Sequence, residues 1–503
     1  MHKYENSSVK VLFVYYDVNS SEPARYACGL GALSAYIKKY GHDTLLSYVK
    51  TEDDYEILKG KITEYKPDLI GISATTSGFL SVNDLSCYIK SIVPDTMLIL
   101  GGSHVSITPD DIASLADVDG VCIGYGEKPL LQLITFMENG DDYFGTPNFW
   151  FRKNGKIVKN ERLPFPDSWD DYFDFDRELF FAELDRLNSN PYGFGRGLLG
   201  SRVFEYILCR ACPFACDFCA APLIRTWGKG KGWLGHPSPE VAVKKLKDDK
   251  ERYQLTGFAF HDDVFTFNKR WFIEFAELYK KELGLPYACN LRVGTFDGPV
   301  LDALIESNCK MAIAGVESGN DYIRNKVANR RLSRDHIITS LTNLKESGIS
   351  LYINNMIGFP EETFDQFVDT ININAIIGPK RSNASVYYPY PGTKLYSKCI
   401  KDGVIEPHRM NVKEERFNTV LNLAGFPKKQ IERIAPVFHL LVIYQRLVYK
   451  LFGLQSCLSV KHTEPIISCL SSIFLKMFLR IRRLKDFLTM YFIISPKKTN
   501  GDR

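Results

Sequence analysis

Long apolar runs are missing from these 503 residues. No stretch of eighteen or more apolar residues occurs, so no segment reads as a bilayer-spanning helix. The longest C-terminal candidate, "IAPVFHLLVIYQ", is too short and sits between Arg433 and Arg446. The opening "MHKYENSSVKVLFVYYDV" lacks the basic start, apolar middle and small-residue cleavage site of an export signal. A large excess of one sign of charge is missing as well, with 63 Lys and Arg against 59 Asp and Glu. A formal net charge of +4 predicts no general attraction to nucleic acid. The expectation is a cytoplasmic protein with reduced thiols, in which clustered cysteines bind metal or do redox chemistry rather than form structural disulfides.

What the chain does have is a strand–helix rhythm. Single cores stop growing near about 250–300 residues, so two to four domains are expected. Its 45% hydrophobic and 24% charged residues fit an ordinary globular protein. Across residues 9–140, "VKVLFVYY", "DTLLSYV", "DLIGISA", "TMLILGG" and "DGVCIGYG" alternate with amphipathic stretches such as "GLGALSAYIKKYG" and residues 127–139. That alternation predicts an α/β fold, a flavodoxin-like doubly wound parallel sheet. Ligands of such sheets bind beyond the carboxyl ends of the strands. There the sequence places Ser73, Thr75, Gly101, Gly102, Gly124 and Gly126, with Glu127 beside them. Small residues let a bulky ligand approach the backbone, although each glycine alone reads equally as a turn.

Through "GLGALSAYIKKYGHDTLL", "PDLIGIS", "LILGGSHVSITPD" and "VDGVCIGYGEKPLLQL" this segment resembles the cobalamin-binding domain that precedes some radical enzymes. The resemblance implies cobalamin contacts at Ser73, Thr75, Gly101, Gly102, Gly124, Gly126 and Glu127. None of the nine histidines has an aspartate two positions before it, so the axial-histidine motif Asp-x-His-x-x-Gly is absent. Cobalamin would then bind with no histidine on its lower face, and a domain that has lost the cofactor is the alternative. Asn154-Gly155 within "NFWFRKNGKIVKNER" predicts a β-hairpin, and residues 163–200 read as an irregular linker.

"CRACPFACDFCAAP" then places four of the chain's twelve cysteines within eleven residues, after the strand "FEYIL". Cys212, Cys216 and Cys219 have the spacing C-x3-C-x2-C. Three thiolates on one loop can hold three irons of a four-iron, four-sulfur cube and leave the fourth iron open. Cys209 with Cys212 also makes a C-x2-C pair, and the four together can be read as a zinc set. Zinc sites usually separate their pairs by a longer loop. Downstream, "GFAFHDD", "YACNLRV", "MAIAGVE", "LYINNMIGF" and "ASVYYPY" alternate with helical stretches such as 270–282 and 334–347. With the first strand these make six, the count of a partial (β/α)6 barrel. Chemistry in such barrels sits at the carboxyl ends of the strands. Asp262, Asp263, Arg292, Glu317, Ser318, Asn354 and Asn355 fall there, each with a plain alternative as a helix cap or satisfied loop group. "GFPEET" reads as a helix start with Pro in its first turn.

With Phe218 inside the last pair, the loop resembles the C-x3-C-x-aromatic-C signature of the radical S-adenosylmethionine (SAM) superfamily. The order of polar strand ends and "YYPYPGT" extend the resemblance over about residues 200–400, toward the subclass with a cobalamin domain ahead of the barrel (class B methyltransferases). The resemblance implies a 4Fe-4S cluster on Cys212, Cys216 and Cys219. It implies SAM contacts at Phe218, Asp262, Asp263, Arg292, Glu317, Ser318 and Asn355. Asp262 or Asp263 would meet the amino group, and Glu317 the ribose or methionine portion. Ala211 stands where relatives often have glycine. Cys209 is left as a small buried hydrophobe, or alternatively a fourth ligand.

The layout expected is a cobalamin-binding-like domain over 1–145, hairpin and linker over 146–200, a barrel over 201–400 and a basic helical region over 401–503. The resemblance implies a C-methyltransferase. A 5′-deoxyadenosyl radical would take hydrogen from an unactivated carbon of a small-molecule or lipid-like biosynthetic substrate, and methylcobalamin would supply the methyl group. A cyclisation, ring contraction or oxidation on the same cofactors is the alternative; a non-enzymatic zinc or iron–sulfur module is another. Electrons would come from a flavodoxin- or ferredoxin-type donor. From Pro427 onward 14 Lys and Arg face 4 Asp and Glu. The runs "RIAPVFHLLVIYQRLVYKLF" and "SSIFLKMFLRIRRLKDFLTMYF" predict basic amphipathic helices that either pack on the barrel or lie on a membrane surface.

Overall fold

Strand β1 (Lys10–Tyr16) carries six consecutive buried residues, the pattern of a strand covered on both faces. The computed structural model that contains it describes residues 8–18, 20, 22–193, 198–224, 233–405 and 416–451. β1 pairs in parallel with β2 (Asp43–Val49) and β3 (Leu69–Ala74). β4 (Met97–Gly101) and β5 (Gly120–Cys122) continue the parallel sheet, in the order β2-β1-β3-β4-β5. That is the flavodoxin-like doubly wound order, with its switch point between β1 and β3. The expected hairpin, β6 (Phe149–Lys153) and β7 (Lys156–Lys159), extends the sheet antiparallel beyond β5. Asn154 and Gly155 turn it with φ of 50° and 73°, as a type I′ turn requires.

The second sheet has six parallel strands in sequential order: β8 (Val203–Tyr206), β9 (Gly257–Phe260), β10 (Tyr287–Leu291), β11 (Cys309–Glu317), β12 (Ser350–Ile357) and β13 (Arg381–Val386). Helices such as Lys269–Glu282 and Arg334–Glu346 fall between them as the periodicity predicts. Alternation along these strands sorts the side chains. Phe204, Phe258, Cys289, Ala314 and Ile353 join one buried cluster with helix residues such as Phe275 and Leu341. The opposite row is the inner row, and it is only partly covered: Glu205, His261, Asn290 and Tyr352 are half-buried, and Asn354 and Asn383 are exposed. Its floor is apolar, from Leu199, Val203, Ala259 and Ala288. The lumen is therefore an open, polar-walled hollow rather than a packed core.

The stretch expected to be an irregular linker has a definite structure. It forms helix Glu178–Arg186 and packs its aromatic residues into two cores. Phe173 and Phe175 belong to the core beneath the second sheet, whereas Phe180 and Leu184 belong to that of the first. Between them Arg177 is buried, its guanidinium 4.3 Å from the ring centres of Tyr26 and Tyr206 and 4.6 Å from that of Phe204. It donates to the Glu205 carbonyl at 2.8 Å. Aromatic runs flanked by Pro and Asp read as loop because no period organises them; here they serve as mortar.

Both sheets lie in one compact unit that ends at His439, and residues 440–451 fall in a second. Of the two basic runs, the first begins at the end of helix Lys428–Ile434 and forms helix Phe438–Leu451. The run "SSIFLKMFLRIRRLKDFLTMYF" lies outside the described residues. No helix among the described residues is long and apolar enough to cross a membrane.

Arg177→Ala should lower the stability to urea by about 3 kcal/mol, combining desolvated cation–π contacts with the cavity left among the rings. Denaturation followed by far-UV circular dichroism measures it.

Candidate functional site

The cysteine loop leaves the carboxyl end of β8 under tight backbone control. Asp262, fully buried just after β9, accepts the Cys209 backbone N–H, and its own carbonyl accepts from Asn290 Nδ2 at 3.1 Å. Cys209 is buried and its thiol donates to the Ala211 carbonyl at 3.3 Å, so the odd cysteine packs as a small hydrophobe turned into the loop's base. Ala211 has φ of 72°. The left-handed conformation explains why glycine suits this position, and alanine accepts it at a cost of about 1 kcal/mol. Further on, the Asp217 N–H donates to the Ala328 carbonyl at 3.2 Å, and Asn329 Nδ2 donates to the Ala215 carbonyl at 2.8 Å.

Cys212, Cys216 and Cys219 on this loop form no disulfide. Burial pushes the Cys212 thiol up to about 11 and that of Cys219 up to about 12, so bare thiolates are disfavoured there until a cation compensates them. Cys216 accepts N–H···S bonds from Arg292 at 3.5 Å and Arg330 at 3.7 Å. Among the described residues no three His, Cys, Asp or Glu side chains converge as ligands of one metal ion. A donor set spread along one loop suits a multi-iron cube better than a single zinc.

The residues expected around SAM divide into those the fold brings to the mouth and those it turns away. Asp263 is exposed yet its carboxyl is pushed up by desolvation, as in a recess. Asp262 instead supports the loop, with one carboxyl oxygen buried and unpartnered and the group pushed up to about 7 by burial. Glu317 stands at a break in the β11–β12 register with φ of 66°, 3.5 Å from Arg330. Arg292 lies over the Phe214 ring at 3.9 Å. Phe218 meets Phe359 edge-on, beyond β12. Ser318 is fully buried, and its hydroxyl accepts from the Asn320 N–H at 3.2 Å. Asn355 faces the helices, where its amide exchanges hydrogen bonds with Asn374 at 2.9 and 3.3 Å. Asn354, one residue earlier, is the one on the lumen row. "GFPEET" does not start its helix at Pro360. That helix is Phe364–Ile377, closed by a capping box of Thr363 and Gln366.

At the carboxyl edge of the first sheet, Ser73 and Thr75 are half-buried next to the switch point. Gly102, with φ of 102°, lies so close to Ala74 that a Cβ would come within 2.5 Å of its carbonyl oxygen. A Cβ on Gly101 would make only ordinary contact, 3.9 Å from the Ile72 carbonyl oxygen, and the Gly124 N–H, at a φ of 84°, donates to Ser106 Oγ at 3.0 Å. Gly126 packs under Leu33. His104, the histidine at this edge, engages both ring nitrogens with Thr76, Thr108 and Asp111, so it offers no axial ligand. These residues fit a corrinoid held without a histidine. Glu127 is the departure: it is buried against Arg210 of the cysteine loop at 2.9 Å. Beyond it, Gly392 of "YYPYPGT" rests on Ile107, where a Cβ would lie 2.6 Å from a side-chain carbon. The carboxyl edge of the first sheet and the cysteine loop therefore meet.

Two groups went unread in the sequence. Arg330 sits in "NKVANRRLSRD", which reads as a solvated basic stretch, yet it is buried. Glu362 is buried with its carboxylate accepting from the Gly358 and Phe359 N–H groups at 2.7 and 3.2 Å.

A three-thiol loop at the mouth of a partial parallel barrel, abutted by the ligand edge of a doubly wound sheet, defines a two-domain cofactor enzyme. Residues 206–373 match the Radical SAM superfamily and residues 18–134 match the B12 binding domain. The chain belongs to the radical SAM superfamily, in the subclass that carries a B12-binding domain, and its cofactors are a 4Fe-4S cluster, SAM and cobalamin. An uncharacterized methyltransferase of Pyrococcus horikoshii is 26% identical over 404 residues, covering 78% of this chain and 84% of its own. An anaerobic magnesium-protoporphyrin IX monomethyl ester cyclase of Rubrivivax gelatinosus is 24% identical over 388 residues, covering 73% of this chain and 65% of its own. The solved radical SAM methyltransferase TsrM of Kitasatospora setae, with cobalamin and a 4Fe-4S cluster bound, is similar in fold. Its TM-score is 0.63 at 14% identity, over 79% of this chain and 75% of that one.

Ala211→Gly should raise the unfolding free energy by about 1 kcal/mol, because glycine adopts this φ without strain. A thermal melt reads the gain, and iron content should stay unchanged.

Proposed function

We propose that this chain methylates an unactivated carbon of a small molecule, using a cluster on Cys212, Cys216 and Cys219 and cobalamin at the edge formed by Ser73, Thr75, Gly101, Gly102 and Gly124. The observation that supports the reading is that the carboxyl edge of the first sheet meets the cysteine loop through Glu127–Arg210 and the segment after β13 through Gly392–Ile107, so cofactors held by the residues named above would lie at one junction. Bound there, the cofactors supply the hydrogen-abstracting radical and the methyl group; the protein supplies placement. Asp263 and Glu317 offer acceptors at the mouth, and Arg292 and Arg330 offer donors. Asp262 holds the loop rather than the ligand. The substrate's polar part fits the lumen, whose wall presents Asn354, Asn383, Tyr352 and the pair His261–Glu205 at 3.7 Å. This favours a substrate with hydrogen-bonding groups over a wholly greasy one. A flavodoxin- or ferredoxin-type donor supplies the electrons.

The likeness to a protein named as a cyclase supports a second reading, in which the same cofactors drive a reaction without methyl transfer. Product analysis separates the two, since only the first adds a methyl group derived from SAM.

Anaerobic protein from cobalamin-supplied cells should contain about four irons and one cobalt per chain. Replacing Cys212, Cys216 and Cys219 together by Ala should remove the iron and leave the cobalt. Elemental analysis of one sample reads both; cobalt-free wild type with full iron would sink the methylation reading.

A further inference from the structure

Two guanidiniums lean on one of the three candidate cluster thiols. Arg292 follows β10, and Arg330 follows the π-helical turn Ile323–Val327. They are 5% and 7% exposed. Arg292 Nη1 donates to Cys216 Sγ at 3.5 Å and Arg330 Nη1 at 3.7 Å. Arg292 Nη2 also donates to the Arg330 carbonyl at 2.6 Å, so the two are held as a pair. Arg330 is further pinned by Nη2, which donates to the Gly315 carbonyl, and by its own N–H, which donates to the Arg324 carbonyl at 2.9 Å. Neither side chain is placed to swing away.

Two like charges in a dry wall are unfavourable unless anions balance them. Glu317, 3.5 Å from Arg330, supplies one carboxylate. Each guanidinium also keeps a buried Nε–H with no partner. An anionic group on Cys216 would balance the remaining charge.

We propose that Arg292 and Arg330 set the reduction potential of the cluster from its Cys216 side. The proposal rests on Cys212, Cys216 and Cys219 being the ligands. Reduction adds one electron to the cluster from an external low-potential donor, of flavodoxin or ferredoxin class, with no bond made or broken. The cluster thereby becomes one charge more negative. Two N–H···S bonds and two positive charges at low dielectric stabilise that state more than the oxidised one, so they raise the midpoint potential. The protein uses Arg330 here as a positioning and tuning residue, acting through its N–H···S bond to Cys216.

The test is a redox titration of the reconstituted full-length protein, followed by electron paramagnetic resonance, with dithionite as reductant and SAM omitted. Wild type, Arg330→Gln, Arg330→Lys and the double variant Arg292→Gln/Arg330→Gln are compared at measured iron and sulfide content. Arg330→Gln should titrate at a more negative midpoint with full iron. Arg330→Lys should stay nearer wild type because its charge remains, and the double variant should shift furthest. A fully loaded Arg330→Gln protein with an unshifted or more positive midpoint overturns the proposal. Loss of iron from Arg330→Gln assigns the residue to building the loop and overturns it too. Wild type with no cluster signal overturns the ligand assignment and the tuning together.

Discussion

One desolvated ion pair, Glu127 with Arg210, ties the two halves of the site together. Arg210 lies between Cys209 and Ala211, at the root of the cysteine loop, and Glu127 begins the helix Glu127–Asn139 at the ligand edge of the first sheet. The guanidinium also donates to the Tyr172 carbonyl at 3.3 Å and stands 5.2 and 5.3 Å from the ring centres of Tyr125 and Trp169. First sheet, connecting segment and cysteine loop thus share one cation. A buried pair of this kind contributes little net stability against an apolar substitute, but losing one partner strands the other, so it specifies a single docking geometry. The rest of the site inherits that geometry.

Backbone conformation carries a second part of the design. Ala211 and Glu317 both adopt positive φ, one at the base of the cysteine loop and the other where β11 slips against β12. Neither residue is glycine, and both stand at turns held by neighbours: Asp262 and the Cys209 thiol at the first, Arg330 and Gly315 at the second. Strain at such positions persists because surrounding bonds over-determine them. The acidic and basic groups of the mouth are then fixed before any ligand arrives, which lowers the cost of ordering them on binding.

The strands were legible because their apolar runs are short, β-branched and regularly spaced, and the cysteine spacing named its own chemistry. What stayed hidden depends on facing and burial. Asn354 and Asn355 differ only in parity, and parity against a lumen is set by the whole sheet. Arg177 and Arg330 look like solvent cations, since nothing local tells that the rings of Tyr26, Phe175, Phe204 and Tyr206, or a thiol, will enclose them. Glu127 had the right place for a cofactor contact, but its partner lies more than eighty residues on, in another domain. Asp262 and Asp263 are adjacent acids with opposite surroundings, one inside the loop's base and one open to the mouth.

The segment around Arg177 bears on how this protein can be divided. Family resemblance sees two modules, residues 18–134 and 206–373, with a gap between them. The gap is where the two hydrophobic interiors are sewn together: Phe175 and Phe180 are five residues apart and belong to different cores. A barrel excised at β8 would bare Phe204 and Tyr206 to water, and a first module cut after its hairpin would bare the surface under Phe180 and Leu184. Modules recognisable by descent are here a single object to a denaturant or a protease, and recombination that exchanged either one would have to carry the stitching along.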